Sequence, residues 1–286
     1  MAARLTREGA MTGWRKVATA TWSSSSEASI FGWLHIDATN LLAWIERARA
    51  RTSARITVTH VVGKAVALGF ADCPEANAAL SLRGILRRET VDVFFSVAAE
   101  GGRSVAGAKV RRADGLGVAE IAERLDASVS RIRKDGDTPL QRSQAMLKSL
   151  PAPVIAAALK VVSFASFDLG LSLDRLGVPT DPFGTAIVTN VGVLGLEQGF
   201  APLMPHGRSP CIVTVGRVRD RVWPVEGEPK VRPVLTLGAT FDHRIVDGHH
   251  LGKISGRIRE ILEDPERALG APAAQPTAAG ATLRAE

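Results

Sequence analysis

From residue 237 to residue 248 the chain reads Leu-Gly-Ala-Thr-Phe-Asp-His-Arg-Ile-Val-Asp-Gly. The apolar run from Val234 to Phe241 predicts a buried strand that ends in a charged turn. Beyond Gly248, apolar residues recur at three- and four-residue steps, which predicts a helix. His243 is therefore expected between a strand and a helix, where a sheet fixes its backbone and its ring can act as a general base.

Two motifs carry a resemblance to a known family. Residues 242–248, Asp-His-Arg-x-x-Asp-Gly, resemble the active-site signature of the acyltransferase subunits of 2-oxoacid dehydrogenase complexes. Residues 183–192, Phe-Gly-Thr-Ala-Ile-Val-Thr-Asn-Val-Gly, resemble that family's Gly-Thr-Phe-Thr-x-Ser-Asn-x-Gly segment. The alternative is a histidine that only caps a helix or lies satisfied in a core. It is less favoured because an Asp-His-Arg triplet is unfavourable to bury without a purpose.

The resemblance implies a fold like that of chloramphenicol acetyltransferase, an α/β (α+β, two-layer) architecture with a mixed sheet and flanking helices. It also implies an acyltransferase that moves an acyl group between coenzyme A and a thiol such as dihydrolipoamide. His243 would be the general base, and Thr189, where serine is usual, the oxyanion donor. Asp247 would organise the site, with Arg15 as its partner. No residue is assigned to coenzyme A binding.

In this family the active site forms between neighbouring subunits of a homotrimer, and trimers often assemble into larger cages. The resemblance therefore implies that His243 and Thr189 come from different subunits. The sequence has no lipoyl-domain segment and no peripheral-subunit-binding module, so we expect a catalytic domain alone. Its acyl donor would be a lipoyl group on another protein or acyl-coenzyme A itself. The alternative is an oligomeric scaffold or assembly protein that keeps the fold with little or no activity.

Composition excludes several other functions. The net charge of +7 is spread over the chain without a basic stripe, which argues against nucleic-acid binding. A solvated basic surface is the favoured interpretation, and the alternative is an anionic ligand such as the phosphates of coenzyme A. Cys73 and Cys211 are far apart and lack metal or redox spacing, so a reducing compartment is expected.

The pair His249–His250 lacks a carboxylate or cysteine set with ligand spacing, so no metal is predicted. Without a signal-peptide pattern, the chain is expected to be cytoplasmic.

The expected organisation is a flexible arm at 1–13, a catalytic domain at 14–269 with an insertion at 146–182, and a disordered tail at 270–286. The apolar stretch 151–167 within the insertion is interpreted as a buried or subunit-interface helix. The alternative is a helix that lies on a membrane surface.

The remaining elements follow from periodicity and turn chemistry. Strands are expected at 28–36, 80–85, 91–98, 104–110, 185–191, 211–218 and 231–241. Helices are expected at 40–51, 57–70 and 117–134, the first with Asp37 as its N-cap. Asn77 lies in a Pro-x-x-Asn turn and is expected to be structural.

Overall fold

The structure is a computed structural model that describes residues 5–7, 28–99, 104–135 and 152–272. The strands are β1 (Leu5–Arg7), β2 (Ser29–Asp37), β3 (Ala78–Ser81), β4 (Gly84–Arg88), β5 (Val93–Ala99), β6 (Ser104–Val110), β7 (Ala186–Asn190), β8 (Cys211–Val215), β9 (Arg219–Val225) and β10 (Glu228–Asp242). The helices are α1 (Thr39–Arg51), α2 (Val58–Ala71), α3 (Val118–Asp135), α4 (Ala152–Ser163), α5 (Gly248–Glu263) and α6 (Pro265–Leu269).

The strands form one large mixed sheet and one small antiparallel sheet. The large sheet has the order β2-β10-β8-β7-β5-β6, and β9 forms a hairpin with the first half of β10. Strand β7 runs parallel to both β5 and β8, whereas β10 runs antiparallel to β2 and β8. The small sheet has the order β1-β4-β3. The predicted α/β class, a mixed sheet with flanking helices, is confirmed.

The helices cover one face of the large sheet, and the main core lies between them. Helix α2 packs against α5 and β7, while α3 packs against β6 and α5 against β2. Alternate strand residues such as Phe95 and Val213 point into this core, whereas Phe94 and Ile212 point to a smaller cluster on the other face. The sheet therefore has one helix-covered face and one loop-covered face.

A close approach fixes the loop that follows β7. A Cβ atom at Gly238 would lie 2.2 Å from the carbonyl oxygen of Gly199, so glycine is needed where this loop crosses β10. The Thr214 hydroxyl lies 2.5 Å from the Gly199 oxygen and 3.1 Å from that of Gly238, bridging the loop and the strand. The loop is thus held over the middle of the sheet.

Three elements differ from the sequence prediction. Region 80–85 is a hairpin between β3 and β4 instead of one strand, because Gly84 takes a φ of 108° and reverses the chain. Strand β9 has no sequence signal, since most of its residues are exposed and no apolar alternation marks it. Helix α1 has Ala38 as its N-cap instead of Asp37, although Asp37 Oδ1 accepts from the Thr39 amide at 2.9 Å.

The predicted arm and tail lie mostly outside the described residues. Within 1–13, the structure describes Leu5–Arg7, which pair with β4 in antiparallel register. Arg15 lies outside the described residues, as do residues 273–286 of the tail. The first residue of the predicted tail contacts helix α1, because Trp44 Nε1 donates to the carbonyl oxygen of Gly270 at 3.0 Å.

Two buried ion pairs attach the end of the predicted insertion to the small sheet and its surroundings. Asp181 pairs with Arg88 at 2.8 Å, and Asp168 pairs with Arg208 at 2.6 Å. Burial alone would raise the pKa of the Asp181 carboxyl, but the charge and hydrogen bonds of Arg88 outweigh it and hold that pKa below its ordinary value. Burial is likewise outweighed at Asp168, where hydrogen bonds from Arg208 and from the Leu82 amide lower the pKa.

The helical part of the apolar stretch 151–167 is only partly buried. Helix α4 covers Ala152–Ser163 and continues into a π-helical turn at Phe164–Asp168. Phe167 is fully buried and stacks under the Arg208 guanidinium, with 5.0 Å between Cζ and the ring centroid. Val161 is 66% exposed, so this face of α4 is not covered by the described chain and a subunit contact there stays a prediction. In the part of the chain that the structure describes, no helix combines the length and apolarity that crossing a bilayer requires.

Candidate active site

His243 lies on the turn between β10 and α5, as its sequence context predicts. Its amide donates to the carbonyl oxygen of Ala28 at 2.8 Å, which ties the turn to the chain entering β2. The amides of Ile245 and Val246 each donate to the carbonyl oxygen of Asp242 at 2.9 Å. The backbone under the histidine is therefore fixed on both sides.

The ring of His243 is held by a backbone carbonyl group. Its Nδ1 lies 2.9 Å from the carbonyl oxygen of Val246. Because a carbonyl oxygen can only accept, Nδ1 carries the proton in this contact, and the lone pair of the neutral ring is on Nε2. The contact thus sets both the direction and the tautomer of the ring, and this tautomer can take a proton at Nε2.

Asp247 begins the helix that follows. As the N-cap of α5, its Oδ1 accepts from the amides of His249 and His250 at 3.1 and 3.2 Å. The same oxygen lies 2.5 Å from His250 Nδ1. An N-cap aspartate with a polar partner three residues later is a helix-start signal that the sequence already contains. In the described chain, the position of Asp247 is therefore defined by the start of the helix.

Asp242 and Arg244, which flank His243, form a salt bridge with each other. Arg244 donates through Nε at 2.9 Å and through Nη2 at 2.7 Å to the two carboxylate oxygens of Asp242. Both side chains are largely buried, with exposures of 7% and 11%. This bidentate pair brackets His243 and stiffens the turn that carries it.

Thr189 lies half-buried near the end of β7, paired with Ser96 of β5 and Thr214 of β8. The next residue, Asn190, donates through Nδ2 to the Thr59 hydroxyl at 2.8 Å, linking the strand end to the start of α2. The end of β7, which carries the Thr189 hydroxyl, is therefore fixed by contacts with residues distant in sequence.

The beginning of the same motif is fixed by the turn before β7. Gly184 has a φ of 68°, and a Cβ atom there would lie 2.7 Å from Asp92 Cβ, so this position requires glycine. Thr185 is fully buried, and its hydroxyl donates to Asn77 Oδ1 at 2.7 Å. Asn77 also donates to the Thr90 carbonyl oxygen at 3.0 Å, so its predicted structural role is confirmed.

Within one chain the two predicted site residues lie at opposite ends of the sheet. The register places Thr189 level with Thr214, and Thr214 level with Gly238. His243 comes five residues after Gly238 along β10. At about 3.3 Å per residue, this separates the two side chains by about 17 Å along the strand direction. One chain therefore does not bring the imidazole and the hydroxyl together.

Two other histidines have structural partners, as expected. Burial, opposed by the charge of Asp126 and assisted by that of Arg49, lowers the pKa of His60 to about 4, and its Nδ1 accepts from the Thr57 amide at 3.1 Å. His35 Nδ1 lies 3.0 Å from the Thr236 hydroxyl across the β2–β10 pair.

One cluster near the turn was not predicted. Cys73, Glu75 and His250 bring three potential ligand atoms within 4.8 Å of one another. Burial, reinforced by the Glu75 charge, raises the pKa of the Cys73 thiol to about 11, so the thiol is protonated at neutral pH. The sequence prediction rested on ligand spacing around His249 and His250, and this cluster forms from residues that such spacing does not include. The two partners are about 175 residues away in sequence, and no spacing pattern could reveal them.

The comparison that decides the family covers most of the chain. The model of the 2-oxoacid dehydrogenases acyltransferase (catalytic domain) family matches residues 4–145 and 182–270. The chain belongs to this family. Both motifs lie inside the matched residues. The two matched ranges are separated by residues 146–181, where the sequence analysis places an insertion at 146–182.

The chain is similar to curated components of 2-oxoacid dehydrogenase complexes. The succinyltransferase component of the 2-oxoglutarate dehydrogenase complex from Bartonella vinsonii subsp. berkhoffii is 26% identical over 71% of this chain. The acetyltransferase component of the pyruvate dehydrogenase complex from Rhizobium meliloti (strain 1021) is also 26% identical, over 74% of this chain. The matched regions cover 39% and 38% of those relatives, so the chain corresponds to about two fifths of their length.

Solved structures share the fold. A probable dihydrolipoamide acetyltransferase from Listeria monocytogenes 4b F2365 superposes with a TM-score of 0.61 at 18% identity, covering 90% of this chain and 94% of that one. The dihydrolipoamide acetyltransferase of Azotobacter vinelandii superposes with a TM-score of 0.59 at 17% identity, covering 92% and 94%. At these identities the likeness establishes the fold, and the predicted chloramphenicol acetyltransferase-like class is confirmed.

Proposed function

We propose that this chain is an acyltransferase that moves an acyl group between coenzyme A and a second thiol such as dihydrolipoamide. The observation that carries the proposal is the His243 turn, where the Val246 carbonyl group holds Nδ1 protonated and leaves the Nε2 lone pair to act as a base. Family membership supplies the reaction class.

The transfer step uses His243 and Thr189. His243 Nε2 takes the proton of the attacking thiol while its sulfur forms a bond to the thioester carbonyl carbon. The Thr189 hydroxyl donates a hydrogen bond to the oxyanion of the tetrahedral intermediate. When the intermediate collapses, the other carbon–sulfur bond breaks, and the imidazolium returns its proton to the leaving sulfur. Charge and atoms are then balanced, and the histidine is ready for another cycle.

A homotrimer would complete the site. Because Thr189 and His243 are separated by about 17 Å along one sheet, a single chain cannot place the hydroxyl near the base. A neighbouring copy that faces its Thr189 end toward the His243 end of the first copy would supply the missing partner. The cubic core reported for a pyruvate dehydrogenase complex has this fold, with a TM-score of 0.59, which supports such an assembly.

A mixing experiment tests the shared site. Homotrimers of His243→Ala and of Thr189→Ala are each expected to be inactive. After dissociation and joint reassembly, some interfaces would combine an intact Thr189 with an intact His243, so activity should partly return. The measurement is acyl transfer from acyl-coenzyme A to dihydrolipoamide, together with the mass of the assembled species. Inactive mixed trimers of confirmed mass would refute the shared site.

A substrate panel separates the enzyme from the alternative of an inactive scaffold. Acyl-coenzyme A thioesters of different chain length and charge are offered with free dihydrolipoamide and with a separate lipoylated protein as acceptors. Transfer above the rate of a His243→Ala preparation supports the enzyme. If no pair of substrates gives transfer while the assembly remains intact, the chain is a scaffold with the acyltransferase fold.

A further inference from the structure

We propose that Cys73, Glu75 and His250 bind a zinc ion that joins the end of α2 to the start of α5. Their ligand atoms lie within 4.8 Å of one another. A thiolate, an imidazole and a carboxylate form a set that zinc binds well, whereas magnesium and calcium prefer oxygen ligands alone. The site is independent of the acyl-transfer proposal, because none of its ligands is assigned a role in that reaction.

The distances fit a tetrahedral ion after a small contraction. With zinc bonds of about 2.0 to 2.3 Å, the ligand atoms of such a site are about 3.3 to 3.8 Å apart. Cys73 is fully buried on the turn that follows α2, and His250 is 7% exposed on the first turn of α5. These two elements set the width of the site. Glu75 is only partly buried, so its side chain can move by the required distance of about 1 Å.

The support behind His250 is typical of a metal ligand. Its Nδ1 lies 2.5 Å from Asp247 Oδ1 and 3.3 Å from the Asp247 amide nitrogen; with the ring proton on Nδ1, the carboxylate accepts it and Nε2 is the metal-binding nitrogen. Histidine ligands of zinc commonly donate their other ring nitrogen to a carboxylate, which fixes the tautomer and increases the basicity of the ligand. Asp247 performs this role here while it also caps α5.

One positive charge competes with the metal. Lys253 Nζ lies 3.7 Å from Glu75 Oε1, on the next turn of the same helix as His250. Zinc would replace this ammonium group as the partner of Glu75, and the Cys73 thiol would release its proton when sulfur bonds to the ion. The bound ion would connect two helices directly beside the turn that carries His243.

The test is a cobalt titration of the full-length, reduced and metal-stripped chain. Cobalt replaces zinc with the same ligands and reports a sulfur ligand through a thiolate-to-cobalt charge-transfer band. We expect one cobalt per chain, this band, visible bands of tetrahedral intensity, and displacement of all of them by zinc. Zinc should also raise the melting temperature of the wild-type chain. The absence of the charge-transfer band at saturating cobalt would overturn the proposal.

The chain offers a matched control for the sulfur ligand. Cys73→Ser should abolish the band, whereas Cys211→Ser should retain it, because Cys211 is equally buried but lies in β8 outside the cluster. Retention of the band in Cys73→Ser, or its loss in Cys211→Ser, would assign the sulfur elsewhere and refute the site.

Two variants at less buried positions keep the test valid if Cys73→Ser fails to fold. Glu75→Gln should keep the thiolate band but weaken cobalt binding, because the amide replaces the charged oxygen ligand. Lys253→Met should strengthen it, because it removes the competing ammonium group. Unchanged affinity in both variants would show that Glu75 is not a ligand, and the proposed site would be wrong.

Discussion

The two ends of the large sheet are built in different ways. At one end, His243 is held by contacts within its own turn, such as the one between its Nδ1 and the carbonyl group of Val246. At the other end, Thr189 lies beside Asn190, which is anchored by Thr59 from another part of the chain. The ring of the base is therefore oriented by a contact within its own turn, whereas the strand end that carries the hydroxyl is anchored by a residue distant in sequence.

Because of this difference, we expect some variants to lose activity and others to lose folding stability. A change to the His243 side chain should affect activity with little effect on folding, since its ring contact lies within the turn and its backbone bond to Ala28 is kept. A change among the long-range supports of β7 should destabilise the domain, because those contacts join distant segments that the unfolded chain keeps apart.

The largest expected effect is the loss of the base. His243→Ala should reduce acyl transfer by about 10²- to 10⁴-fold, because the attacking thiol loses its proton acceptor. The melting temperature should stay near that of the wild type, since the side chain is only half-buried. Turnover by steady-state kinetics and unfolding by circular dichroism measure the two quantities. Wild-type turnover in this variant would contradict the proposed mechanism.

A buried ion pair tests whether contacts between distant residues stabilise the end of the sheet that carries β7. Asp181 Oδ1 accepts from the Gly184 amide at 3.2 Å, so it supports the turn that leads into β7. Asp181→Asn should lower the free energy of unfolding by about 3 to 5 kcal/mol, because it leaves the buried Arg88 charge without its negative counter-charge. Urea unfolding measures this loss. The matched control is Glu266→Gln, which removes an ion pair to Arg47 that is 49% exposed on both sides and should change stability by less than about 0.5 kcal/mol.

The same variant has a defined pH dependence. The pKa of Asp181 in the folded chain lies below the ordinary value of 3.8, since Arg88 outweighs the effect of burial. Its charged form therefore stabilises the fold fully above about pH 4, and this contribution is lost as the pH falls through the folded pKa. The stability difference between wild type and Asp181→Asn should be constant near neutral pH and should shrink below about pH 4. A difference that grows on acidification would contradict this assignment.

Thr189 should show a smaller but selective effect. Thr189→Ala should reduce turnover by about 10²- to 10³-fold, because one oxyanion donor is lost. Thr189→Ser is the matched control: it keeps the hydroxyl group and should remain close to wild-type activity. If alanine and serine variants are equally active, Thr189 is only a strand residue, and the scaffold alternative gains support.

The smallest expected effect concerns the helix cap. Asp247→Ala should lower the free energy of unfolding by about 1 kcal/mol, because two amides at the start of α5 lose their acceptor. Asp264 caps α6 in a similar way, so Asp264→Ala is a matched control with a similar cost. Turnover should fall in Asp247→Ala, where the cap adjoins the His243 turn, and stay unchanged in Asp264→Ala. If both variants changed turnover equally, Asp247 would have no role in organising the active site.

The end of the sheet that carries His243 could be predicted from the sequence, because its contacts join residues close together in the chain. The strand before His243, the helix after it and the Asp242–Arg244 pair all arise from residues within a few positions of one another. Pattern and spacing report such contacts directly.

Features that depend on distant residues could not be predicted. Cys73 and Glu75 meet His250 only because α2 packs against α5, and no sequence spacing contains that contact. The distance between Thr189 and His243 within one chain follows from strand register, which the motifs alone do not specify. The family resemblance implied different subunits for the two residues, but not where each lies on the sheet.

The ribbon formed by β9 and the first half of β10 has a consequence for solubility. An unpaired strand edge is a template on which other chains can aggregate. Strand β9 counters this with Arg219, Asp220 and Arg221, and with Pro224, which has no amide hydrogen to offer an incoming strand. Its exposed Val222 lies opposite Val231, so the two apolar side chains shield each other across the ribbon. The ribbon can extend into solvent without recruiting further strands.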